Sequence, residues 1–189
     1  MKSIIEMIDE FLATGHASVI HFPIIGVMLG FLSASIALFL TIALRVSDRR
    51  NKLDDFQIET IKKFISKFEF TSYISIILGE LGLIIAAITG FYAAGSISQA
   101  INIPLLEFKI RLTIYVFFLL MSPLFFKFYI GIVYQRDVFN DNDLIVPILY
   151  TIPLFISTNL IMVIAGAGGK YVFGHSILEI IGLGWIFPK

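Results

Sequence analysis

Residues 11–44 and 144–169 carry no charged side chain, and residues 70–106 and 112–135 carry one each, Glu80 and Lys127. The hydrocarbon core of a bilayer is about 30 Å thick and is crossed by a helix of about 20 apolar residues. Four stretches meet that length, about 17–44, 70–94, 110–134 and 144–167. Inside lipid every backbone N–H and C=O must be paired within its own segment, so each stretch is predicted as a helix. Strands of a membrane barrel would alternate apolar and polar residues with period two, and these runs do not. A fifth apolar stretch, Ile177 to Phe187, has 11 residues and contains Glu179. It is too short to span, which leaves a half-helix, an interfacial helix or a segment docked on a partner. The expected fold class is all-α: an integral membrane four-helix bundle with a short fifth C-terminal helical segment over 176–187. No internal repeat, Gly/Ser linker or low-complexity run divides the chain, so 1–189 is read as one multi-pass domain.

Two further stretches have helical periodicity without spanning length. In residues 3–13, Ile4, Ile5, Ile8, Phe11 and Leu12 fall on one face. Between the first two spans, Leu53, Phe56, Ile61, Phe64, Ile65 and Phe68 recur near the helical period with lysines interspersed. That pattern predicts an amphipathic loop helix over about 53–68, either lying on the cytoplasmic membrane surface or solvated.

Charge sets the orientation. The 25 residues from Arg45 to Glu69 hold 12 of the chain's 28 formal charges, seven of them Lys or Arg, whereas 95–107 holds no Lys or Arg. Cytoplasmic loops carry the excess of positive charge. The loop 45–69 is therefore placed in the cytoplasm, with the N-terminus and the C-terminal segment outside, in a plasma membrane. The N-terminus, with Lys2 followed by Glu6, Asp9 and Glu10, lacks the short apolar core and small-residue cleavage site of a signal peptide.

Composition narrows the function classes. Apolar and aromatic residues make up 58% of the chain, charged residues 15%, and mean hydropathy is +0.92. There is no cysteine, so neither a disulfide scaffold nor a Cys-x-x-Cys-His haem attachment is present. Fourteen basic residues balance fourteen acidic ones, which leaves no basic field for nucleic acid. No Gly-rich phosphate loop, His-Glu-x-x-His or Gly-x-Ser-x-Gly occurs. The acidic run Asp137 to Asp143 lacks the glycine and terminal glutamate of a calcium loop and reads as a solvated turn.

Charges inside lipid are costly and face protein, water or each other. Glu80 falls near the middle of the second span and Lys127 near the cytoplasmic end of the third, so a Glu80–Lys127 ion pair is one reading. A proton- or quinone-linked carboxylate is the other. The second span also carries Gly82, Ala86, Gly90 and Ala94 at four-residue spacing, a stripe of small residues that admits another helix at close range. Gly26 and Gly30 form a weaker version in the first. Pro123, Pro147 and Pro153 are expected to kink or restart their helices. The run Gly166-Ala167-Gly168-Gly169 is expected to end the fourth.

The three histidines, His16, His21 and His175, all fall toward the outer face in this topology. Imidazole is a common metal ligand and an axial ligand of haem. His16 and His21 diverge by about 140° around a helix and do not form an i,i+4 chelate. His175 and Glu179 are four apart, so a helix there would let the carboxylate set the imidazole tautomer. Histidines that hydrogen-bond to backbone or headgroups are the alternative, and a zinc site has weaker grounds.

The segment His16-Ala-Ser-Val-Ile-His21-Phe22-Pro23-Ile24 and the stretch Gly168-Gly169-Lys170-Tyr171-Val172-Phe173-Gly174-His175 are matched, together with Thr89-Gly90, by one pattern. The chain resembles an uncharacterised family of four-helix membrane domains with a His-Phe-Pro-Ile first-helix motif and a Gly-Gly-x-x-Val-Tyr-x-His motif after the last helix. The resemblance covers about 14–176, and the chain departs from it in its long charged first loop, in the segment 176–189 and in Phe173 where Tyr is usual. Members are often associated with c-type cytochromes on the outer side. The resemblance implies a redox role and makes His16, His21 and His175 candidate haem ligands.

The functional expectation is a membrane-embedded b-type haem electron-transfer subunit of a respiratory or redox complex, bound by two of these histidines, passing electrons between a quinone and an outer-side cytochrome. The alternative is an accessory subunit that packs among other membrane subunits and is not catalytic on its own. A small transporter using Glu80 comes third, since no inverted repeat is seen.

Overall fold

The computed structural model describes residues 20–48, 53–93, 102–139, 143–174 and 176–188. It is all-α, a four-helix bundle with a short C-terminal segment, and no strand occurs among the described residues. Helix α1 is His21–Asp48, α2 Asp55–Ala93, α3 Pro104–Val133, α4 Ile145–Phe173 and α5 Ile177–Ile180, followed by a 3-10 turn at Gly184–Ile186. Each of α1 to α4 is long and apolar enough to cross a membrane, and the chain is a multi-pass membrane protein. The predicted stretch 3–13 and residues 17–19 lie outside the described residues.

The main departure from expectation is α2. The loop helix predicted over 53–68 and the span predicted over 70–94 form one helix of 39 residues. At 1.5 Å per residue it is about 58 Å long, nearly twice a hydrocarbon core. The reason is local: 53–78 contains neither Gly nor Pro, so nothing interrupts propagation. Its start is fixed by a reciprocal cap, in which Gln57 N–H donates to Asp54 Oδ1 (2.7 Å) and Asp54 N–H to Gln57 Oε1 (3.2 Å). Helix α3 begins at Pro104, earlier than expected, because proline suits a first helical turn whose N–H has no partner. Helices α3 and α4 continue through Pro123 and Pro153.

Helix α4 also runs through the glycine run that was expected to stop it. It ends at Gly174, whose φ of 77° is the left-handed conformation that closes a helix, with Gly174 N–H donating to Lys170 O (2.9 Å). The glycines serve packing instead. A Cβ on Gly166 would fall 2.8 Å from Leu178 Cδ1, and one on Gly168 3.3 Å from Lys109 Nζ.

The fold divides into two compact units. One, the terminal unit, draws on Met1–Ile25, Leu78–Phe118 and Asn159–Lys189; the other, the internal unit, on Gly26–Ile77 and Leu119–Thr158. In the terminal unit the C-terminal segment packs on its own chain, a contact that none of the three readings of its sequence included. Leu178 and Phe187 pack with Ala167 of α4, flanked by Leu105, Phe108 and Val163. The Phe187 ring meets Phe108 edge-on at 6.5 Å and lies 5.3 Å beneath the Lys170 ammonium, which pairs with Glu179 at 2.8 Å. Ser176 and Glu179 cap α5 reciprocally (3.0 and 3.3 Å), and Gly182, at φ 83°, closes it: Leu183 N–H reaches Leu178 O and Gly182 N–H reaches Glu179 O. At the start of α1, Pro23 sits directly over Gly82 of α2, where a Cβ would lie 2.9 Å from both the proline nitrogen and Cδ.

In the internal unit α1 and α2 approach through Gly30. The Ser72 hydroxyl donates to Gly30 O (2.8 Å), and the position of a Gly30 Cβ is 3.0 Å from Ile76 Cγ1. Tyr150 of α4 is fully buried, with its hydroxyl 3.3 Å from Ser72 Oγ and its ring edge-on to Phe139 at 5.5 Å. Two small residues of the expected stripes, Gly82 and Gly30, thus act as contact points, as close helix approach in lipid requires.

Substituting Gly82→Ala drives a methyl into proline backbone and ring atoms that cannot yield cheaply, and is expected to destabilise by about 1–3 kcal/mol. Gly131→Ala places its methyl in open space and is expected to gain roughly 0.5–1 kcal/mol from helix propensity. Unfolding midpoints in detergent, compared for the two variants, check both signs.

Candidate functional site

Two groups of chemistry-bearing residues stand out, one in each unit. In the internal unit the centre is Glu69, which is 1% exposed. It lies on α2 where the charged stretch gives way to the apolar one. Oε1 accepts from the Lys127 ammonium in a close ion pair and from Val138 N–H (3.0 Å), and Oε2 accepts from Phe139 N–H (3.0 Å). Lys127 also reaches Asp137 Oδ1 at 3.3 Å. The carboxylate thereby fastens the loop that follows α3 to the side of α2. One buried anion meets one cation and two backbone dipoles, which is what makes a charge tolerable away from water.

Lys127 therefore does not take up the Glu80 pairing open to it in the sequence; its partners are Glu69 and Asp137. In the sequence Glu69 falls at the end of the charged first loop, 45–69. The signal that marked it was its position as the last charge before an uncharged run, on the same helix as that run.

Beside this clamp lies a cleft of about 690 Å³, lined by the polar residues Lys62, Ser66, Lys127, Gln135, Arg136 and Asp137 and by Leu44, Ile65, Gly131 and Phe139. Gln135 has φ 49°, a left-handed backbone that is costly for a side chain with a Cβ. Arg136 lies 5.5 Å from the Tyr134 ring and 3.5 Å from Asp143 Oδ2 through Nη2, while its buried Nε has no hydrogen-bond partner among the described residues. Such a set of donors can hold an anion.

In the terminal unit, His21 is the first residue of α1 and is exposed. His16 and His175 lie outside the described residues, but Gly174 and Ser176, which flank His175, belong to the same unit as His21. Glu80 belongs to it as well. It is 4% exposed, and neither carboxylate oxygen has a hydrogen-bond partner among the described residues. No group of three or more His, Cys, Asp or Glu positioned to hold a metal ion occurs among the described residues. Helix α2 is buried both at Gly82 and at Glu80, as the small-residue stripe and the intramembrane charge together required. Comparison of the chain with protein-family models, with curated proteins and with solved structures finds no match.

The clamp is expected to be worth more than a surface ion pair. Glu69→Gln leaves the Lys127 charge only the longer contact with Asp137 and weakens the hold on two backbone N–H groups, for a loss of about 2–4 kcal/mol. The double variant Glu69→Gln/Lys127→Met should recover part of that loss. Thermal unfolding in detergent measures both, and limited trypsin digestion should cut after Arg136 faster in the single variant.

Proposed function

We propose that the chain is an electron-transfer subunit embedded in the plasma membrane, holding a b-type haem toward the outer face with two of His16, His21 and His175. One observation carries the reading: His21 opens α1 with an exposed imidazole, in the compact unit that also contains the residues flanking His175. Neutral imidazole is suitable axial-ligand chemistry for haem iron, and the two histidine motifs that resemble the redox-associated family support it. When bound, the haem supplies one-electron transfer, here between a membrane quinone and an outer-side cytochrome.

The chain's own contribution is positional. Pro23 locks onto Gly82 and fixes the backbone two residues beyond His21. Gly174 ends α4 on one side of residue 175, and the Ser176–Glu179 cap holds the chain on the other. The Lys170–Glu179 ion pair ties that turn back to α4. A ligand set needs this kind of support, because a loosely held imidazole loses affinity.

The second reading, an accessory subunit packed among other membrane subunits, is favoured by α3, of whose apolar stretch 22% is buried inside the chain. The exposed remainder, including Phe118, Phe125 and Phe128, is available to lipid or to another subunit. The two readings are compatible. In either, the excess of Lys and Arg over 45–69 puts that segment in the cytoplasm and the N-terminus outside.

Purified protein, produced with haem supply, is expected to show a Soret band that is lost in His21→Ala together with His175→Ala. Absence of that band and of extractable haem overturns the electron-transfer reading; a stable lone monomer by native mass spectrometry counts against the accessory one. Orientation has its own check. The chain contains no cysteine, so a single cysteine at the exposed Lys63 position should resist an impermeant thiol reagent in intact cells and react after lysis.

A further inference from the structure

We propose that the cleft in the internal unit is a binding site for a phosphate group, presented by the headgroup of an anionic phospholipid. The donors come from three elements. Of the lining residues that carry donors, Lys62 and Ser66 belong to α2, Lys127 to α3, and Gln135 and Arg136 to the following loop. The one acid in the lining, Asp137, meets Lys127 at 3.3 Å. Glu69 is spent on Lys127 and two backbone N–H groups. Arg136 reaches Asp143 only at 3.5 Å, and its Nε is buried and unmatched among the described residues. A planar guanidinium with an unmatched N–H, set beside ammonium, hydroxyl and amide donors, is the arrangement that recognises a phosphate oxyanion.

Two features point to lipid as the bearer of that phosphate. The cleft is half apolar, with Leu44, Ile65 and Phe139 along its wall. Its α2 residues lie where charged chain meets spanning chain, and Phe64, Phe70 and Tyr134, close to lining residues in sequence, are exposed, as aromatic side chains at a headgroup boundary are. A ligand with an anionic head and apolar chains satisfies both halves, and basic pockets of this kind between membrane helices suit such headgroups. Gln135, one of the lining residues, is held at φ 49° at a cost that glycine would avoid.

Gly131 offers a clean block. Gly131 lines the cleft and a Cβ there meets nothing within 4 Å, so Gly131→Leu adds bulk at the cleft with no clash at Cβ. The experiment uses delipidated full-length protein in detergent, titrated with phosphatidylglycerol or phosphatidylcholine and read by native mass spectrometry. Wild type should retain one phosphatidylglycerol in preference to phosphatidylcholine. Lys62→Gln and Arg136→Gln should each weaken it about fivefold. Gly131→Leu should abolish it, while Lys63→Gln, whose lysine pairs with Glu59 and does not line the cleft, should leave it unchanged. Unfolding midpoints without lipid show that each variant is folded. Equal retention of the two lipids, or retention unaffected by Gly131→Leu, overturns the proposal. Stabilisation of wild type by inorganic phosphate alone, lost in Arg136→Gln and unaccompanied by lipid preference, also overturns the lipid assignment and leaves a site for a free anion.

Discussion

A charge placed where apolar spans end must be matched by the protein, and the Glu69 clamp shows how this chain does it. Its two oxygens take an ammonium and two backbone N–H groups. Desolvating a carboxylate costs several kcal/mol, which is recovered only when geometry and hydrogen bonding are complete. Meeting that requirement depends on α2 running unbroken across the boundary between its charged and apolar halves, which the absence of Gly and Pro over 53–78 permits. A break would release Glu69 from the helix that presents it to the loop after α3. Continuity of the helix and saturation of the carboxylate are one constraint seen at two levels.

Packing answers a different shortage. Lipid tails are as apolar as leucine, so helices in a bilayer gain little from hiding apolar side chains and rely on close contact. Gly82 under Pro23, Gly30 against Ile76 and Gly166 against Leu178 are three such contacts. The third draws the C-terminal segment onto α4, where Phe187, Lys170 and Glu179 complete the attachment. A glycine run that would weaken a soluble helix is here a seat for another element, and this is why α4 survives it.

These same features separate what was legible in the sequence from what was not. Four spans, their order and the all-α class follow from uncharged length, because lipid imposes one backbone solution. The small residues at 30 and 82 were legible as contact points, since their spacing says what they admit. The length of α2 was hidden by reading charge as loop, when the absence of Gly and Pro across 53–78 was the stronger signal. The partner of Lys127 was hidden because Glu69 and Glu80 are both acids on one helix, eleven residues apart, and composition cannot choose between them. The docking of 176–188 depended on contacts among Leu178, Phe187 and Ala167 that no periodicity in so short a segment reveals.

Buried polar atoms without partners are few in native proteins, and each asks for a reason. Among the described residues they are both oxygens of Glu80, Arg136 Nε and Ser157 Oγ. Nothing in the structure explains Ser157. Arg136 lines the cleft, where an oxyanion would complete its hydrogen bonding. Glu80 belongs to the unit of His21, the unit for which a redox cofactor or a partner subunit is proposed. An unpaired carboxylate within a spanning helix is retained against a steep cost, and its neighbours in α2 are packed closely enough at Gly82 to hold it in place. The internal unit uses its buried acid to fasten a loop. The terminal unit holds one whose oxygens have no hydrogen-bond partner among the described residues, and that difference directs the search for activity to the terminal unit.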